Sequence, residues 1–79
     1  SHDYIPAFRK AIQAFKNNTP VEAVVTRISP YAVYVDMYDG CLQSKLPLTK
    51  GQVSDLKEGD RLQVRFTYLG NTLIVIEPL

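Results

Sequence analysis

Side chains able to make or break bonds are few in this 79-residue chain, and their spacing argues against catalysis. Nucleophilic attack by Cys41, or by a serine or threonine, needs a neighbouring base. The only histidine is His2, in an opening Ser1-His2 that looks like the remnant of a cleaved tag. Asp36 and Asp39 come nearest to a carboxylate pair, but Asp39 stands before Gly40 in a turn dipeptide that explains it without acid–base work. One cysteine and no other histidine exclude the usual zinc ligand sets, and four glycines scattered at turns and strand junctions form no phosphate cradle. The expectation is a protein that is not an enzyme and carries neither metal nor cofactor.

Nine Lys and Arg against eight Asp and Glu leave a formal charge of +1. No strong overall field therefore draws the chain to duplex DNA or to anionic lipid, and any polyanion would have to be held by a local face. No apolar run approaches the roughly 18 residues that cross a bilayer, and no leader pattern is present, so the expected partner is not a membrane. A lone thiol suits a reducing compartment, and cytoplasmic localisation is the expectation. The missing initiator methionine points to a domain cut from a longer protein.

These side chains must be positioned by a small set of elements. Ile5, Phe8, Ile12 and Phe15 recur at spacings of three, four and three, which predicts an amphipathic helix over residues 4 to 16 with that stripe facing a core. Asp3 is its expected cap, Pro6 fits its first turn, and Asn17, Asn18, Thr19 and Pro20 end it. Beyond Pro20 the texture changes to β-branched and aromatic runs, read as strands near 21–29, 32–38, 41–47, 61–68 and 72–77. Asp39-Gly40 and Gly70-Asn71 predict tight hairpin turns, and residues 48–60 form the one long connection, with room for a helical turn around Val53 to Leu56.

A three-strand meander, a long connection and a hairpin is the order of an oligonucleotide-binding (OB) barrel, five strands closed by Greek-key pairing. The expected fold is thus all-β, with the amphipathic helix and tag remnant in residues 1–20 preceding a barrel domain in 21–79. Alternation sends Val33, Val35 and Met37, Leu42, Ser44 and Leu46, and Leu62, Val64 and Phe66 inward. Tyr34, Asp36 and Tyr38, Gln43, Lys45 and Pro47, and Arg61, Gln63 and Arg65 then face out. The helix stripe would bury itself on one end or side of the barrel.

The run from Val25 through Thr26, Arg27, Ile28, Ser29, Pro30, Tyr31, Ala32, Val33 and Tyr34 to Val35 resembles the first two strands of the S1 RNA-binding domain family, which reads V-T-x-I, two residues, then F-G-A-F-V. The resemblance continues through Asp39-Gly40, through Ser44 to Thr49 and through Leu56 to Val64, covering about residues 21–76. It implies an OB barrel that holds single-stranded RNA, often as one unit of a larger protein. The two aromatics that stand on the family's binding face match Tyr31 and Tyr34, where a ring offers a flat partner to an unstacked base. Lys45, Arg65 and, less directly, Arg61 would pair with phosphates along the edge of that platform.

The family's strand-three histidine aligns with Pro47, two of its glycines with Ala23 and Ala32, and the Asp and Arg that flank its last hairpin have no counterpart around Leu69-Gly70-Asn71-Thr72. Single-stranded DNA would use the same stacking physics. The alternative expectation is a structural or protein-interaction barrel without RNA binding, docking to neighbouring domains or protein partners of the parent chain, since exposed tyrosines serve protein interfaces equally well.

Overall fold

The computed structural model of the chain describes residues 4–47 and 55–79. One helix, α1 (Tyr4–Asn17), is followed by β1 (Val21–Ile28), β2 (Ala32–Met37), β3 (Leu42–Pro47), β4 (Arg61–Leu69) and β5 (Ile74–Pro78). The Asp3 cap, Leu48 and Thr49, and the expected helical turn from Val53 lie outside the described residues, apart from Asp55 and Leu56 at the end of that turn.

The helix stops as its sequence requires. Asn18 takes a left-handed φ of 54°, the Asn18 amide donates to Phe15 O and the Thr19 amide reaches back to Ala14 O at 2.8 Å. This pair of bonds satisfies carbonyls that the last turn would otherwise orphan, and Pro20 cannot continue the helix. The face it buries differs from the expected stripe. Ala7 and Ala11 are its buried residues, Phe8 and Phe15 flank them against the core, and Ile5 stands 60% exposed. Small residues on the buried face let the helix backbone approach the sheet closely, chiefly at β4 and also at β3, while Ile5 stays off the interface.

All neighbouring strands pair antiparallel in the order β3-β2-β1-β4-β5. After the long connection the chain returns to pair β4 with the far side of β1, which leaves β3 and β5 as the two edges. Those edges meet: Ser44 Oγ donates to Ile74 O at 2.9 Å across the seam, so the sheet closes almost completely into a barrel. The architecture is the OB-like barrel with one leading helix. Its interior holds Val25, Val33, Val35, Met37, Leu42, Leu46, Val64, Phe66 and Ile76, each at most 4% exposed. Of the residues expected to face inward on β2, β3 and β4, all are buried except the half-buried Leu62, packed against the core, and Ser44, at the seam.

The turns follow their chemistry. Asp39 and Gly40 both take positive φ, 57° and 87°, and the Cys41 amide closes on Tyr38 O. Gly59, at φ 90°, lets the chain turn before β4; its amide donates to Val25 O at 2.8 Å while Asp60 O accepts from the Val25 amide. The β4–β5 turn is wider than the Gly70-Asn71 dipeptide suggests. Gly70 N–H bonds to Leu73 O, and β5 begins only at Ile74. Gly70 is not left-handed; a Cβ there would lie 3.0 Å from the hydroxyl of the exposed Tyr68 ring, which would have to shift by a few tenths of an ångström to admit it. Ala23 and Ala32 are also absent from the positive-φ positions, so neither needs the glycine of the S1 pattern.

Candidate nucleic-acid interface

Two strands carry one residue too many. Val25 pairs with Val35 and Arg27 with Tyr34, so Thr26 is a bulge in β1; Phe66 pairs with Ile76 and Tyr68 with Val75, so Thr67 is a bulge in β4. In both, the threonine hydroxyl donates across the ladder, Thr26 Oγ1 to Tyr34 O at 3.2 Å and Thr67 Oγ1 to Val75 O at 3.3 Å. A bulge reverses the facing of every later residue on its strand. Strict alternation would send Arg27 inward with Ala23 and Val25, and Tyr68 inward with Phe66. Both stand exposed instead, Tyr68 at 51%.

The first bulge creates the site's closest contact. The Arg27 guanidinium carbon lies 4.2 Å from the centroid of the Tyr34 ring. On the other side of Tyr34 its register partner is Lys45. Three adjacent strands thus present a cation, a half-buried aromatic ring and a second cation in one row, spanning about 10 Å at the usual strand spacing. Alternation alone conceals Arg27; the bulge is what would have to be foreseen to find it.

Tyr31 is not on the barrel wall beside Tyr34. It sits with Pro30 at the tip of the β1–β2 hairpin, 86% exposed. Ser29 builds that tip: its Oγ accepts from the amides of Tyr31 at 3.2 Å and Ala32 at 3.1 Å, and its own amide donates to Ala32 O at 3.0 Å. The tip is held by a side chain, and the ring beyond it is free to meet a ligand.

Arg61 and Arg65 do not join the row. Arg61 faces Val24 across β1–β4, where its Nη1 pairs with Glu22 Oε1 at 2.7 Å between two exposed side chains. Arg65 lies beyond Val21, at the opposite end of β1 from Arg27 and roughly 20 Å along the strand from it. Its register partner is Glu77, and its Nε is buried without a hydrogen-bond partner. Both arginines are on β4, with β1 between them and Tyr34.

A groove of about 460 Å³ runs beside the end of α1, lined by Glu22, Asp36, Tyr38, Asp39 and Arg61 among others. Burial raises the Tyr38 phenol above its ordinary value. With three carboxylates against one paired guanidinium, this groove would repel a phosphate chain, whereas the row presents two cations. Among the described residues no three His, Cys, Asp or Glu side chains gather as a metal site, and no helix is long and apolar enough to cross a membrane. Compared with known proteins, the chain matches no family model and no curated protein.

Proposed function

We propose that this domain is a non-catalytic module that binds single-stranded RNA on the outer face of β1, β2 and β3, as one part of a larger protein. The observation that supports the reading is the row Arg27, Tyr34, Lys45, with the exposed Tyr31 at the tip of the β1–β2 hairpin. An aromatic ring between two cations offers one base a stacking partner and the flanking phosphates a countercharge. Stacking is worth about 1–3 kcal/mol per base and is nearly blind to base identity, so the binding is weak and tolerant of sequence. Two phosphate contacts give a log-log salt slope near −1.4, at roughly −0.7 each for single strands.

The test is a fluorescence-anisotropy titration of labelled oligo-U and oligo-A at low salt, repeated with Tyr31→Ala and with the matching DNA oligonucleotides. Saturable binding that weakens on Tyr31→Ala supports the reading, and DNA binding of equal strength widens it to single strands of either sugar. Absence of saturable binding at low salt overturns it.

A second reading, a protein-docking module, is favoured by one other surface. Tyr68 and its register partner Val75, with Leu73 in the adjoining turn, are exposed at 51%, 38% and 56%. Amide shifts confined to these residues on adding a partner domain, with silence around Tyr34 on adding RNA, would favour it.

A further inference from the structure

The contact between Arg27 and Tyr34 is also an obstacle, since a guanidinium 4.2 Å above a ring occupies a place where a base would stack. Resting on the RNA-binding reading above, we propose that Arg27 is a displaceable cover: on binding, a base takes its place on the Tyr34 ring and the released guanidinium moves to a phosphate of the same strand.

The energetics favour the exchange. A cation–π contact at an exposed site is worth roughly two- to fivefold in an equilibrium constant. Stacking a base on the same ring is worth roughly five- to 150-fold. The ring therefore gains by the substitution. Arg27 loses nothing either, because its planar fork, exposed at the edge of the barrel face, can pair with a phosphate oxygen bidentately. Arg27 is itself exposed, so its release leaves no buried charge, and Thr26 keeps the bulge pinned to Tyr34 O through its own hydroxyl. The backbone stays in register while the side chain moves. In the free protein the same contact keeps an aromatic ring from standing bare to solvent.

This predicts opposite effects of one substitution at low and high salt. Arg27→Ala removes a phosphate contact, so its salt slope should be shallower by about 0.7. Between roughly 50 and 200 mM salt it should lose about 2.6-fold less affinity than the wild type. It also uncovers the ring. At low salt the variant should bind more weakly than the wild type, and at high salt as tightly or more tightly.

The experiment is an oligo-U titration at several salt concentrations with wild type, Arg27→Ala, Lys45→Ala and Tyr34→Phe, the last keeping the ring. Heteronuclear NMR follows the Arg27 Nε–H resonance, which ring current should displace in the free protein and which should move towards its ordinary position on adding RNA. A shallower slope for Arg27→Ala with crossing affinities, and loss of the ring-current shift, support the exchange. Unchanged slope, or a ring-current shift that persists in the complex, overturns it while the RNA-binding reading stands. Lys45→Ala should lose the same slope without the crossing, since among the described residues no ring lies under Lys45; crossing there too would overturn the assignment to Arg27. Absence of wild-type binding at any salt would instead be the failure of the RNA reading itself.

Discussion

Arg27 and Tyr34 face one another across β1 and β2 with guanidinium over ring, and they do so because Thr26 is inserted between Val25 and Arg27 in the ladder. One extra backbone residue turns a side chain that alternation assigns to the core into the cation of an outer-face row. Lys45, paired with Tyr34 from β3, completes it. The second bulge, at Thr67, does the same for Tyr68 on the other hairpin and produces an apolar surface instead of a cationic one.

Ser29 positions Tyr31 without touching its ring. Ser29→Ala leaves the Tyr31 and Ala32 amides without their side-chain acceptor, at a cost of about 1 kcal/mol at this partly exposed site. Amide exchange at Tyr31 and Ala32 should quicken while the barrel core keeps its protection. Tyr31→Ala, by contrast, removes an 86% exposed side chain and should leave the unfolding free energy from urea titration unchanged within about 0.5 kcal/mol.

Gly59 and Gly40 are glycines for backbone reasons. At Gly59 a Cβ would meet nothing within 4 Å, yet its φ of 90° makes Gly59→Ala cost about 1–2 kcal/mol through strain alone. Gly40→Ala, at φ 87°, should cost a similar amount. Urea denaturation of the two variants checks this; a neutral Gly59→Ala would show that the turn ahead of β4 relaxes freely.

The helix contact predicts an inverted response to substitution. Ile5→Ala, at a residue 60% exposed, should change stability by less than about 0.5 kcal/mol. Ala11→Leu forces extra methylenes into a position with no exposure and should cost about 1–3 kcal/mol. Thermal unfolding followed by circular dichroism separates this arrangement from one in which Ile5 anchors the helix.

Tyr38 makes stability depend on pH in alkaline solution. Burial raises its folded pKa above the usual value near 10, so above that pH the unfolded chain releases a proton that the folded chain keeps. The unfolded state then binds fewer protons, and stability falls as pH rises through the folded pKa; below about pH 9 the contribution is constant. Urea midpoints measured from about pH 8 to 11 should fall more for the wild type than for Tyr38→Phe.

Much of this barrel could be read one residue at a time. Alternation in Val33-Tyr34-Val35-Asp36-Met37 specifies an inner and an outer side wherever a strand pairs without interruption, and Asn18, Gly40 and Gly59 mark turns because only such residues take positive φ cheaply. Those are local constraints, carried by each residue's own shape. The same locality explains why Tyr34 and Lys45 could each be assigned to the outer side of its strand; that they are register partners comes from the β2–β3 pairing.

The facing of Arg27, the removal of Arg61 and Arg65 from the row, and the alanine centre of the helix contact were not readable in this way. A bulge is a count of residues on one strand against those on its partner, so it exists only between chains of backbone that are distant in sequence until they pair. Arg65 is far from Tyr34 because β4 joins β1 at its other end, and Ile5 is exposed because the helix turns Ala7 and Ala11 inward instead. Side-chain chemistry and turn preference are written along the chain, whereas which outward residues become neighbours depends on register and approach distance, and these are set by packing the whole barrel at once.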